Sequence, residues 1–127
     1  MSTPSLYDSL GGRAGLEHLI DTYLRILQTK PEAASLSAMY RRGFEHYRER
    51  MLEYLSGYLG GPGLYLQNHG LPMLREQHSF MTITPIMRDQ WYGCMIDAID
   101  ETVQDPKLAA ELKAVFWTMA DSLCSTC

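Results

Sequence analysis

A chain of 127 residues, 46% of them hydrophobic, has the length of one domain and enough apolar content for a core, which excludes a disordered or fibrous class. Its formal net charge is −4, from 11 basic and 15 acidic residues, with no Lys/Arg run longer than two; that excludes a nucleic-acid binder or a ligand of anionic membranes, which needs a basic stripe. No apolar run approaches the ~18–20 residues of a membrane span, Met1–Leu10 lacks the charged-then-apolar pattern of a secretory leader, and three cysteines (Cys94, Cys124 and Cys127) fit a reducing cytoplasm better than a disulfide scaffold.

Helical periodicity dominates, and the expected fold class is all-α. Leu6–Leu10 suits a short helical turn before Gly11–Gly12. Leu16, Leu19, Ile20, Tyr23, Leu24 and Leu27 recur at spacings of three and four, predicting an amphipathic helix from about Arg13 to Gln28. Lys30–Pro31 ends it, and a short helix fits Glu32 to Tyr40. The next helix is predicted over Phe44–Leu59, with Phe44, Tyr47, Met51, Tyr54, Leu55 and Tyr58 on one stripe. Gly60–Gly61–Pro62–Gly63 stops it, since glycine permits the left-handed turn and proline cannot continue the ladder.

Leu64–Pro72 is expected to be a loop, followed by a short helix from Met73 to about His78. Thr84–Pro85 has the form of an N-cap with proline in the first helical position. The helix after it carries Trp91, Cys94, Met95, Ala98, Ile99 and Thr102 on one face. Asp105–Pro106 repeats the start signal. Leu108, Leu112, Val115, Phe116, Met119 and Leu123 then mark a last helix. One all-α domain over residues 1–127 follows. Periodicity alone does not distinguish it from a plain bundle.

Four histidines are candidates for chemistry. His18 falls on the polar side of its helix, His46 sits beside the apolar stripe, and His69 lies in the expected loop. His78 closes a short helix and is followed by apolar Phe80, Met81 and Ile83. A haem site needs one imidazole nitrogen on iron, the other held by a hydrogen bond, and a flat apolar slot. His78 suits that role, and Arg75, three residues earlier, is placed to meet a propionate. A core or surface histidine with a single hydrogen bond remains the plain alternative. No Cys-x-x-Cys-His occurs, so covalent attachment is not expected. The closing Cys124-Ser125-Thr126-Cys127 has metal-site spacing but no second pair, and no metal role is assigned to it.

Tyrosine is frequent at inward positions: Tyr23, Tyr40, Tyr47, Tyr54 and Tyr58. A buried phenol needs a hydrogen-bond partner. Each can find a backbone carbonyl, or one or two can face a ligand, as can the indole N–H of Trp91. Met51, one turn beyond Tyr47, is placed to pack over a haem.

Several motifs in order resemble the truncated haemoglobins, specifically group II. They are Tyr7-Asp8 with Gly11-Gly12, Gly60-Gly61-Pro62, Pro72-x-Leu74-Arg75-x-x-His78, and Arg88-Asp89-x-Trp91-x-x-Cys94-Met95. The resemblance implies a two-over-two helical sandwich around haem b. It also implies binding of dioxygen and other diatomic ligands such as NO and CO at a five-coordinate iron. His78 matches the proximal ligand, with Leu74, Arg75, Phe80, Met81, Ile83 and Met51 lining the cofactor. Trp91 matches the distal tryptophan, Tyr40 a distal wall position, and Tyr47 and Met51 the two ligand-facing positions of the distal helix.

This chain departs from the family at telling places. Where the family has a phenylalanine followed by a ligand-facing tyrosine, it has Tyr23-Leu24, so alignment puts apolar Leu24 toward the ligand. Tyr47 stands where a small residue is common, so a phenol lost from one wall is gained on the facing one. Ser79-Phe80-Met81 and Gln77 replace a proline-containing and a basic motif. The expectation is that Tyr47 or Tyr40, with Trp91, supplies the polar contacts. Phenolate ligation of ferric iron by Tyr40 or Tyr47 is a competing possibility. Reversible binding in the cytoplasm, by a monomer or homodimer, is the favoured function. Nitric oxide dioxygenation or peroxidase-like chemistry, with a separate reductase, is the alternative.

Overall fold

The computed structural model describes residues 4–34, 43–70 and 83–124. Helix α1 spans Leu6–Leu10, and the Ser5 hydroxyl caps it by accepting from the Asp8 N–H at 3.1 Å. Gly11, at φ +108°, turns the chain into α2, Gly12–Thr29. The two helices meet closely at Gly15, where a Cβ would stand 1.9 Å from the Leu10 carbonyl oxygen, so only glycine fits. Leu16, Leu19, Ile20, Tyr23 and Leu27 of α2 are fully buried, as their spacing predicts.

Pro31–Ala33 forms a 3₁₀ turn where a short helix is expected to begin; residues 35–42, with Tyr40, lie outside the described residues. Helix α3 spans Phe44–Tyr58. Its end is fixed by Gly60 at φ +95°, by the Ser56 hydroxyl donating to the Pro62 carbonyl at 2.7 Å, and by the Gly61 N–H donating to the Ser56 carbonyl at 2.8 Å.

The predicted loop after this stop is in part a helix: α4 covers Leu64–His69. A helix this short is unstable alone. Here Tyr65 is buried, its ring edge-on to Tyr54 of α3 at 6.2 Å, and tertiary packing supports what local pattern does not. The short helix expected over Met73–His78 falls outside the described residues.

Helix α5, Pro85–Thr102, begins as expected, with the Thr84 hydroxyl accepting from the Met87 N–H at 3.2 Å. Helix α6, Pro106–Leu123, starts with the Asp105 carboxylate accepting from the Lys107 N–H at 3.0 Å. Helix α2 packs on α3 and on α5, and α5 packs on α6. Helices α2 and α3 form one layer and α5 and α6 the other, the two-over-two arrangement anticipated above, and no strand occurs among the described residues.

The core joins Leu16, Leu19, Ile20, Leu52 and Leu55 to Cys94, Met95, Ile99, Leu112 and Phe116. Ion pairs lace its rim: Arg25 with Glu101, Lys30 with Asp97 at 2.8 Å, and Arg48 with Asp21 at 2.6 Å. Tyr58 departs from its expected inward place and is 42% exposed, because the buried face at this end of α3 runs beside it, through Leu52, Leu55, Ser56 and Leu59. Cys94 is free and fully buried, and Cys124 is disulfide-bonded. Among the described residues no helix is long and apolar enough to cross a membrane.

Candidate functional site

Three helices each send one large aromatic side chain to a common point. Tyr23 comes from the inward stripe of α2 and is fully buried. Tyr47 lies one turn before buried Met51 on α3, and Trp91 lies one turn before buried Cys94 on α5. The Trp91 Nε1–H donates to the Tyr47 hydroxyl oxygen at 3.1 Å. The Tyr23 and Tyr47 hydroxyls share a hydrogen bond at 3.0 Å. Their rings stand edge-on: Tyr23 to Tyr47 at 6.2 Å and Tyr23 to Trp91 at 5.8 Å, with Phe116 behind Trp91 at 6.1 Å. Such pairs add about 0.5–1.5 kcal/mol beyond the area they bury.

An indole N–H can only donate, and a phenol carries one proton and two acceptor lone pairs. Tyr47 is therefore the oxygen on which the other two polar groups converge. All three groups are uncharged, and their surroundings are the apolar side chains of the core, Met51, Phe116 and Met95 among them. Leu24 is also buried, and it lines a cleft between α2 and α3 with Phe44, Asp21 and Arg48. Ile83 is half-buried just ahead of α5.

The structure thus brings together Tyr23, Tyr47 and Trp91 from the residues predicted at the site. His78, Arg75, Leu74, Phe80, Met81 and Tyr40 lie outside the described residues. Of the other histidines, His18 is exposed and His46 half-buried.

His69, which has no evident partner in the sequence, belongs to a second polar cluster between α3 and α4. The Glu53 carboxylate accepts from the Asn68 side chain at 2.5 Å, from the His69 ring at 3.1 Å and from Arg50 at 3.2 Å. The Arg50 guanidinium also contacts the His69 ring. Burial pushes the Glu53 carboxyl up, but the bonds from Asn68, His69 and Arg50 outweigh it and hold the group below its ordinary range. On α3 itself Tyr54 stacks on Tyr58 at 5.5 Å; burial, and then Tyr58, push the Tyr54 phenol up. Only the spacing of Glu53 and Arg50 on one side of α3 hints at this cluster in the sequence.

The model of the bacterial-like globin family matches residues 5–125. The chain is a bacterial-like globin, a truncated haemoglobin of group II. This globin is 34% identical over 94 residues to the group 2 truncated hemoglobin YjbI of Bacillus subtilis, which covers 74% of this chain and 68% of that one. Among solved structures it is similar to the cold-adapted truncated hemoglobin of the Antarctic bacterium Pseudoalteromonas haloplanktis TAC125, with TM-score 0.93 and 35% identity, over 98% of this chain and 100% of that one. It is also similar to the group II 2-on-2 hemoglobin of Agrobacterium tumefaciens, with TM-score 0.91 and 35% identity, over 98% and 96% of the two chains.

A globin of this family binds haem. Trp91, Tyr47 and Tyr23 bring N–H and O–H groups together among apolar side chains, a chemistry that fits one wall of a haem pocket.

Proposed function

We propose that this globin reversibly binds dioxygen, and with it other diatomic ligands, on a haem b held by His78. The convergence of Trp91 and Tyr23 on the Tyr47 hydroxyl supports this reading most directly. The haem iron supplies the bond to the diatomic molecule. The chain supplies what surrounds that bond. His78 would hold the iron through a neutral imidazole, and Arg75, three residues earlier in the sequence, would meet a propionate. Buried Met51 and Leu24, with half-buried Ile83, keep water away. Tyr47 presents a phenol to the bound ligand, and Trp91 fixes that phenol in place.

Uncharged donors suit reversible binding. They stabilise a partly charged ligand by about 1–2 kcal/mol without placing a full cation beside it, the feature that would favour peroxide cleavage. We take residues 1–127 as one such domain. Haem uptake by the purified chain, followed by rapid mixing of its ferrous form with dioxygen, tests the reading. The expected result is a haem absorption band and rapid, reversible spectral change. A His78→Ala chain should lose haem or take it up weakly. Normal, tight loading of that variant overturns the assignment.

A further inference from the structure

The Tyr23 hydroxyl sits where no ligand contact is assigned to it. Alignment with the family turns the neighbouring Leu24 toward the ligand, which leaves Tyr23 as plain packing. Its ring is indeed fully buried, yet it is a tyrosine and not a phenylalanine, and its oxygen meets the Tyr47 oxygen at 3.0 Å. A phenol so deeply buried gains from that bond and would be penalised without a partner.

Tyr47 is half-buried near the start of α3, and two torsions set its hydroxyl position. Trp91 pins the oxygen from α5 and Tyr23 pins it from α2, so two bonds from two helices leave it little freedom. The indole proton of Trp91 is spent on Tyr47, so Trp91 too acts through that oxygen.

We propose that Tyr23 is a positioning residue: its hydroxyl, with the Trp91 N–H, holds the Tyr47 phenol in the orientation that meets a bound diatomic ligand. The inference rests on the reading of the site given above. The phenol that alignment removes from position 24 thereby returns indirectly, one residue earlier and through the facing helix. A phenol has one proton, so Tyr23 donates in the shared bond when the Tyr47 proton is turned to the ligand.

The test uses the haem-loaded full chain and carbon monoxide, whose C–O stretching frequency reports the polarity beside the ligand. Tyr23→Phe keeps the ring and its edge-on contacts and removes only the oxygen. The stretch should move toward the value of a less polar pocket, and dioxygen release should quicken about five-fold, as loss of a neutral hydrogen bond worth ~1 kcal/mol implies. The same change in a Tyr47→Phe background should shift nothing, because the residue acts through Tyr47.

An unchanged stretch in the first case overturns the inference, and so does an equal shift in both backgrounds, which is the mark of packing alone. Should Tyr23→Phe fail to fold, 3-fluorotyrosine at position 23 retains shape and bonding while altering hydroxyl acidity. A shift toward a more polar pocket, as a stronger Tyr23 donor gives, supports the inference; no shift, or one of the opposite sign, overturns it. A wild-type chain that takes up no haem overturns the reading of the site along with it, whereas an indifferent stretch in loaded protein removes only the role of Tyr23.

Discussion

Two polar clusters in this globin meet the same need by opposite means. The Tyr23–Tyr47–Trp91 cluster ties α2, α3 and α5 with neutral hydrogen bonds at the edge of the core. The Glu53–Arg50–Asn68–His69 cluster ties α3 to α4 with a carboxylate and a guanidinium near the surface. Neutral partners suit the first site, since an ion buried there needs full compensation. Charged partners suit the second, where water shares the load. Under the proposed function, the partly buried neutral groups are the ones turned to a ligand, while the charged groups answer one another.

The largest effect should come from emptying the buried side of this comparison. Tyr23→Ala removes a fully buried ring that touches both Tyr47 and Trp91, and it leaves their polar atoms with one partner fewer. Denaturant unfolding should show a loss of about 3–5 kcal/mol, in the range of large aromatic truncations. A loss below about 1 kcal/mol would show that the cluster is not a packed unit.

Next comes the hub itself. Tyr47→Phe conserves the ring and deletes the oxygen on which Trp91 and Tyr23 converge. Under the proposed function, dioxygen should leave about ten-fold faster or more, since a hydrogen bond to a charged group is worth ~1.5–3 kcal/mol. Stopped-flow displacement of dioxygen measures this. An unaltered rate would move the polar contact elsewhere, with Tyr40 the first candidate.

The charged cluster should respond to acid where the neutral one does not. The folded Glu53 carboxyl lies below its ordinary range, so it contributes stability above the unfolded value of ~4.3. That contribution is lost as pH falls through the folded value. Glu53→Gln should cost about 1 kcal/mol near neutrality and flatten the acid limb of a stability-against-pH curve, because glutamine cannot titrate. An acid limb as steep as that of the parent would assign the loss to other carboxylates.

These two clusters also mark how far the sequence could be read. The long helices α2, α3, α5 and α6 were legible because their apolar residues repeat at three and four, and because Thr84–Pro85 and Asp105–Pro106 announce their starts. Helix α4 was not, since six residues between Gly63 and Gly70 show no period and depend on Tyr65 meeting Tyr54. Tyr58 follows the predicted stripe yet is partly exposed, because the buried face at that end of α3 runs beside it, through Leu55, Ser56 and Leu59. At the site, spacing told that Tyr23, Tyr47 and Trp91 point inward. Where a phenol oxygen ends depends on three helix axes at once, and no local pattern encodes that. At the position that the resemblance turns toward a ligand the chain has apolar Leu24, and the hydrogen bonding of the cluster runs through its neighbour Tyr23.

The smallest effect should come from the outer ion pairs, and it completes the comparison. Arg25 and Glu101 join α2 to α5 close to the same interface that Tyr23 and Trp91 cross, but both side chains are more than half exposed. Solvent and salt screen such a pair, and fixing two long side chains costs entropy. Arg25→Gln should therefore change unfolding free energy by at most about 0.5 kcal/mol and leave ligand release untouched. A loss several times larger, persisting in high salt, would mean that the α2–α5 contact is held from its rim. The neutral cluster would then be a passenger in that contact.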